Sequence, residues 1–317
     1  MAASNPFDPA LFRPGAAAPE TLAFAENLRQ QTASRPPLGS PPPDGVAAPP
    51  VFAVPPKSPR ARVIAIDAPG GRKVELRIVA PDNPRGAYLA IHGGGLVMGS
   101  ADQDDAMLER IADNTGLACV SVEYRLAPQH PYPAAWDDCE AAALWLANNV
   151  KAEFGGDALA IGGESAGATL AVPTLVRLRD RHGFTGFKAA NLSYGNYDTA
   201  MTPSQSRIGQ LGYLLRTADI QQCADFYAPD ASSRRDPDMS ALYADVSDMP
   251  AALFSVGTLD PFLDDSMFLY AHWISAGNVA ELAVYPGATH AFNMFPLAVA
   301  KDANARIDAF LKAHTSA

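Results

Sequence analysis

Ser165 stands in Gly163-Glu164-Ser165-Ala166-Gly167, after the apolar run Ala158–Gly162 and before a helical stretch reaching about Arg181. Small residues on both sides let a chain turn sharply enough to expose a hydroxyl. The first N–H beyond it, on Ala166, falls at a helix N-terminus and can face a developing oxyanion. Such a serine is a candidate nucleophile; the plainer reading is a glycine-rich link between strand and helix. A second block, His92-Gly93-Gly94-Gly95, follows the strand-like Tyr88–Ile91 about 70 residues earlier. Its glycines admit close backbone approach to a ligand and leave the N–H groups of Gly93 and Gly94 to donate, an oxyanion pattern. A flexible or phosphate-binding loop is the competing reading, but neither G-K-[ST] nor G-x-G-x-x-G is present.

A serine nucleophile needs a base and a group that orients it. Of six histidines, only His290 follows a late strand through a short loop; His182 lies at a helix end, His272 in a helical stretch and His314 in the tail. For the acid, Asp260 follows Ala251–Val256 through Gly257, Thr258 and Leu259, while Asp264 and Asp265 read as the solvated first turn of a helix. The order Ser165, Asp260, His290 is the Ser…Asp/Glu…His order of α/β-hydrolases. The chemistry would be acyl transfer in two steps, with no metal or organic cofactor required.

Those residues need a scaffold. From Arg62 onward, short β-rich runs alternate with helical patterns. Val63–Asp67 and Val74–Val79 predict an antiparallel pair at a sheet edge, joined through Pro69, Gly70 and Gly71. Tyr88–His92, Ala118–Tyr124, Ala158–Gly162, Ala189–Tyr194, Ala251–Val256 and Glu281–Tyr285 predict further strands, with helices over Gln103–Asn114 and Ala134–Val150. The alternation predicts an α/β protein with a mostly parallel sheet covered on both faces, and ligand sites in such sheets lie at the carboxyl ends of the strands. Residues from about 200 to 249 are polar, broken by Pro203, Pro229 and Pro237, and read as an insertion over that end. Residues 1–60 form a separate N-terminal unit. It begins with a predicted helix over Glu20–Gln31, whose partial apolar face is Leu22, Phe24, Ala25 and Leu28. A strap follows, in which Pro36–Pro59 holds ten prolines in 24 residues.

At 317 residues, with 48% hydrophobic and 18% charged residues, the chain is long enough for one packed α/β domain with a small appendage. A formal net charge of −10 argues against nucleic acid, disfavours an anionic membrane, and makes a neutral small molecule the expected substrate. No apolar stretch approaches ~18 residues, so no membrane span is expected. The N-terminal residues carry no secretory signal pattern, and Cys119, Cys139 and Cys223 show no metal or disulfide spacing. They read as apolar fillers in a reducing compartment, and the expected location is cytoplasmic.

With these blocks assembled, the sequence resembles the hormone-sensitive-lipase-like family of microbial esterases, of the α/β-hydrolase fold. The resemblance covers roughly residues 87–295. It rests on His92–Gly95, on Tyr124–Pro128 with Pro133–Ala135 and Asp138, on Gly163–Gly167, on Asp260-Pro261 and on His290-Ala291-Phe292. It implies hydrolysis of short acyl esters by a carboxylesterase with a helical cap, built from the N-terminal segment and the later insertion over a 61–317 catalytic domain. It also implies that His92, Arg125 and Asp138 support the glycine loop, although an ordinary Arg125–Asp138 ion pair is an equal reading. Glu164 could cap the following helix or touch the oxyanion loop. Leu96 replaces the aromatic residue usual after the glycines, Ala168 a frequent glycine, and Phe262–Ser266 is a loose form of the family's acidic block, so pocket walls are expected to differ. Family members often pair through edge elements, which makes a homodimer an expectation. An amidase or acyltransferase could use the same three residues, and a ligand-binding relative on a dead scaffold would lack one of them.

Overall fold

The structure is a computed structural model that describes residues 7–33, 35–38 and 56–316, and the prolines between 39 and 55 lie outside them. Helix α1 (Pro19–Thr32) precedes the sheet. Strands β1 (Arg62–Ala68) and β2 (Arg72–Val79) pair antiparallel, with β1 at the edge. They are followed by β3 (Gly86–Ile91), β4 (Ala118–Glu123), β5 (Ala158–Glu164), β6 (Ala189–Ser193), β7 (Ala251–Gly257) and β8 (Ala280–Tyr285). The eight form one sheet in the order β1-β2-β4-β3-β5-β6-β7-β8, parallel from β4 to β8. Its registers place Leu89 opposite both Val120 and Ile161 in the centre.

Alternate residues of each strand enter different cores, as the period of two requires. Leu89 and Ile91 of β3 join the larger cluster, which holds Trp136 and Cys139 of α3 (Ala134–Phe154), Leu170 of α4 (Ala166–His182) and Trp273 of α7 (Leu263–Ser275). Tyr88 and Ala90 face the other way, onto Leu108 and Ile111 of α2 (Asp105–Thr115) and Ile307 and Phe310 of α8 (Ala298–Thr315). With both faces covered, the central strands consist almost entirely of buried residues. All three cysteines are buried and unbridged.

Helix α1 turns Thr21, Ala25, Leu28 and Thr32 inward, spacings of three and four along one helical face. Leu22, expected on the apolar face, is instead 44% exposed. Burying Thr32 works because its hydroxyl has carbonyl acceptors for its one proton, that of Leu28 at 2.8 Å and that of Tyr213 at 2.5 Å. The start of α1 lies on the loop after β8: a Cβ on Gly287 would come within 2.4 Å of the Ala17 methyl. Between β6 and β7 the chain leaves the sheet for α5 (Pro203–Arg207), α6 (Thr217–Tyr227) and short 3-10 turns.

Candidate active site

Loops after β3, β5, β7 and β8 converge at the carboxyl end of the sheet. Ser165 sits between β5 and α4 with φ 55° and ψ −118°, a conformation a non-glycine residue adopts only when its surroundings enforce it. Its N–H is held by the Ser193 carbonyl at 2.9 Å. Glycine is required two residues on, because a Cβ on Gly167 would stand 1.8 Å from the Ile91 carbonyl oxygen. The turn can be that tight only against the bare backbone of β3.

The loops after β7 and β8 are laced together. Thr258 donates its N–H to the Tyr285 carbonyl at 3.0 Å, Leu259 to Ala288 at 3.0 Å, and Gly287 donates to the Thr258 hydroxyl at 2.8 Å. That lacing sets Asp260 beside His290. The His290 Nδ1 lies 3.0 Å from one Asp260 oxygen and 3.2 Å from the other, and its Nε2 lies 2.8 Å from the Ser165 Oγ. Asp260 is fully buried and also accepts the Phe262 N–H at 2.8 Å. A carboxylate only accepts, so Nδ1 carries the ring proton and Nε2 is free to accept from the serine. Phe262 and Tyr194 flank the imidazole edge-on at 5.3 and 4.9 Å between ring centres.

The glycine loop crosses in front of Ser165. A Cβ on Gly93 would meet the Ser165 Cβ at 3.6 Å, so the loop lies directly against Ser165. Gly94 has φ +122°, and a Cβ there would come within 2.0 Å of the Met98 carbonyl oxygen, to which the loop folds back. Among the described residues, the N–H groups of Gly93, Gly94 and Ala166 donate to no protein acceptor outside the helices and strands. His92 is buried, its ring stacked on Tyr124 at 4.0 Å with Nδ1 2.8 Å from the Gly93 carbonyl. Burial pushes its pKa down to about 4, so it stays neutral.

Arg125 and Asp138 form an ion pair at 2.8 Å, and Asp138 also accepts the Arg125 N–H at 3.0 Å and a bond from Arg72. Among the described residues, neither side chain forms a hydrogen bond or ion pair with the glycine loop. Their neighbours do: the Tyr124 hydroxyl donates to the His92 carbonyl and the Ala127 N–H to the Leu96 carbonyl, both at 2.9 Å. The ion pair thus lies next along the chain to the residues that bond the glycine loop.

Glu164 neither caps α4, whose N-cap makes no side-chain bond, nor bonds the glycine loop. It is buried, with Oε1 lacking any partner. Its place in β5 points it to the opposite face of the sheet from α4, out of reach of that helix's start. The expected solvated turn at Asp264 and Asp265 is also corrected. Asp264 accepts the Ser204 N–H, and Asp265 is fully buried as an acceptor for Tyr197 N–H, Asp198 N–H, Thr202 hydroxyl and Gln205 amide. The insertion between β6 and β7 folds onto this turn and removes it from water, which no local pattern could reveal. His182 meets Glu140 at 2.9 Å rather than only a helix end.

A cavity of about 590 Å³ opens above Ser165. Leu214, Leu215, Ile220 and Cys223 line it from the inserted segment, Leu38 from the N-terminal unit, and Phe262, Met294 and Phe295 from the loops after β7 and β8. Of these lining residues the sequence singles out only Phe262 and Cys223, the latter as an apolar filler rather than as a cavity wall. The inserted and N-terminal segments are joined at Asp219, which accepts Arg35 at 2.8 Å, Arg216 at 2.9 Å and the Leu38 N–H at 3.0 Å. Burial opposes the Asp219 charge, but the bonds from Arg216 and Arg35 outweigh it and lower its pKa. Among the described residues no cluster of three or more His, Cys, Asp or Glu is placed to hold a metal, and no helix is long and apolar enough to cross a membrane.

The alpha/beta hydrolase fold family matches residues 88–294. An ethyl acetate hydrolase of Pseudomonas putida is 34% identical, over 70% of this chain and 72% of its own length. A carboxylic ester hydrolase of Mycobacterium tuberculosis is 32% identical, over 80% of this chain and 70% of its own length. Among solved structures, an alpha/beta hydrolase enzyme from the metagenome of Lake Arreo, Spain, superposes with a TM-score of 0.82 at 27% identity, covering 95% of this chain and 99% of that one. A hyperthermophilic esterase from Pyrobaculum calidifontis gives 0.76 at 28% identity, covering 94% and 92%. The chain belongs to the alpha/beta hydrolase fold family, among its hormone-sensitive-lipase-like esterases.

Proposed function

We propose that this carboxylic ester hydrolase opens short-chain acyl esters through Ser165, His290 and Asp260. The observation that carries the reading is the unbroken relay from Ser165 Oγ to His290 at 2.8 Å and on to Asp260 at 3.0 Å, at the floor of the cavity. Ser165 attacks the ester carbonyl carbon while His290 Nε2 takes the hydroxyl proton; the carbonyl π pair moves onto oxygen. Asp260 orients the imidazole and stabilises its cation. The N–H groups of Gly93, Gly94 and Ala166 receive the oxyanion, each contributing ~3 kcal/mol to lowering the barrier. Collapse breaks the bond to the alkoxy oxygen, which leaves as the alcohol with the proton from His290. Water, deprotonated by His290, then attacks the acyl-enzyme, and the acid departs as the proton returns to Ser165.

The cap reading assigns α1, residues 35–38 and the segment from α5 to α6 to a roof over this chemistry. Its apolar lining and the 590 Å³ volume suit small esters, acetyl to about hexanoyl, and the names of the ethyl acetate hydrolase and of an acetyl esterase of Salmonella typhi, 28% identical, point the same way. Hydrolysis of p-nitrophenyl acetate, butyrate, octanoate and palmitate by the wild type and by Ser165→Ala tests both parts. Rates falling with chain length and abolished by the substitution are expected. Equal rates in the two proteins would remove Ser165 from the mechanism, and faster turnover of palmitate than butyrate would remove the size limit.

A further inference from the structure

The cavity has a second chemical character. Beside its apolar roof it is lined by Gln103, Asp104 and Glu164, on the flank of the glycine loop. Glu164 is the last residue of β5, only 5% exposed, and its Oε1 has no hydrogen-bond partner. Asp104, just before α2, accepts a single long bond from the Gln103 amide at 3.4 Å. A buried carboxyl oxygen without a donor is costly, and the Asp104 charge acting on Glu164 adds to that cost.

Nothing nearby supplies the missing positive charge. Among the described residues no salt bridge reaches Asp104 or Glu164 (the next residue, Asp105, is held by Arg77 at 2.5 Å). Asp102 is paired with Lys57. Arg110 acts on Glu164 through its charge, but its guanidinium is bound to Asp308 and to the Asn304 carbonyl. His92 is neutral, and burial keeps the Tyr88 and Tyr194 hydroxyls protonated. Burial lifts Glu164 to about 8, with the Asp104 charge adding, and lifts Asp104 to about 6, with Asp105 adding. Both acids are thus raised above the ordinary carboxyl range, and the negative charge that the pair carries has no paired cation to offset it. A group with one positive charge in the cavity would offset the negative charge of the pair. The formal net charge of −10 would draw such a substrate in from a distance.

We propose that Asp104 and Glu164 form an anionic subsite of the substrate cavity that takes the protonated amine of an amino-ester. This rests on the reading that Ser165 opens esters in the same cavity.

The test compares each cationic ester with its neutral isostere near neutral pH: 2-(dimethylamino)ethyl acetate with 3-methylbutyl acetate, and ethyl 4-(dimethylamino)butanoate with ethyl 5-methylhexanoate. The first pair places the amine on the alcohol side, the second on the acyl side. In the wild type, kcat/KM for the cationic member of one pair should exceed that of its isostere by about tenfold or more. That ratio, internal to each protein, should fall toward one in Asp104→Asn and in Glu164→Gln. Equal or lower kcat/KM for the amines in both pairs, or a ratio that survives both substitutions, would overturn the subsite while leaving ester hydrolysis standing. Failure of the wild type to turn over any of the four esters or p-nitrophenyl acetate would overturn the hydrolase reading, and the subsite with it. The wild type alone offers a second measurement should the variants not fold. At constant ionic strength, butylammonium should inhibit p-nitrophenyl acetate hydrolysis more strongly than 1-butanol, and equal inhibition would count against the subsite.

Discussion

The Ala127 N–H donates to the Leu96 carbonyl at 2.9 Å, so the loop after β4 holds the loop after β3. Leu96 has φ +67°, a left-handed conformation unusual for leucine, and it is only 3% exposed. On the proposed mechanism, a loop held in that shape would present the N–H groups of Gly93 and Gly94 before substrate arrives, the preorganisation an oxyanion site needs.

The Arg125–Asp138 pair steadies the backbone that makes this bond. Asp138 is 1% exposed and serves both Arg72 and Arg125. Asp138→Ala leaves two guanidiniums facing each other and should cost about 2–4 kcal/mol in urea unfolding. Esterase kcat should fall roughly tenfold as the loop loosens. An unchanged unfolding midpoint would show that the pair carries no structural weight.

Gly94→Ala should act on chemistry more than on folding. The added methyl would have to escape the Met98 carbonyl, which it would otherwise meet at 2.0 Å, and the loop can move only by turning its N–H groups away. We expect kcat lower by about 100-fold with KM little changed and far-ultraviolet circular dichroism intact. Full activity would mean that other donors hold the oxyanion.

Folding stability should decline with rising pH through Glu164. Burial raises its pKa to about 8, so the folded chain retains a proton that the unfolded chain has released at its ordinary carboxyl value. The folded state thus binds more protons across this window: the contribution is complete below the unfolded pKa and is lost as pH climbs toward 8. Glu164→Gln does not titrate. Its stability relative to wild type should grow between about pH 5 and about pH 8, by at most a few kcal/mol. Parallel stability curves across that range would show that no such proton is held.

Releasing the strap should change substrate handling before it changes folding. Arg35 binds Asp219 and, with the Leu38 N–H on the same carboxylate, seats Leu38 in the cavity wall. In Arg35→Ala the Asp219 carboxylate keeps Arg216. KM for p-nitrophenyl butyrate should rise about fivefold from lost apolar contact, with a smaller drop in unfolding midpoint than Asp138→Ala produces. The reverse order would make the strap a structural element.

The sheet was legible because both of its faces are buried, which leaves continuous apolar runs such as Tyr88–Ile91 and Ala251–Val256, each ending at a glycine-bearing loop. The positions of Ser165, Asp260 and His290 at one end of the sheet were legible because each follows a strand, Ser165 directly and the other two through a short loop. What local pattern does not encode lies in contacts between distant segments. Asp219 gathers Arg35 from 184 positions away, and Asp265 is buried by Thr202 and Gln205, so neither acid looks different from a surface carboxylate in the sequence. Glu164 belongs with them: its neighbours in the chain suggest a helix cap, while the pleat of β5 sends its side chain to the other face.

The most direct test of the account is to treat the protein with diethyl p-nitrophenyl phosphate and map the adduct by peptide mass spectrometry. One diethylphosphoryl group on Ser165, appearing in step with loss of esterase activity and far more slowly in His290→Ala, is the predicted result. Inactivation with the adduct on another residue, or activity that persists with Ser165 fully modified, would contradict the assignment of Ser165 as the nucleophile.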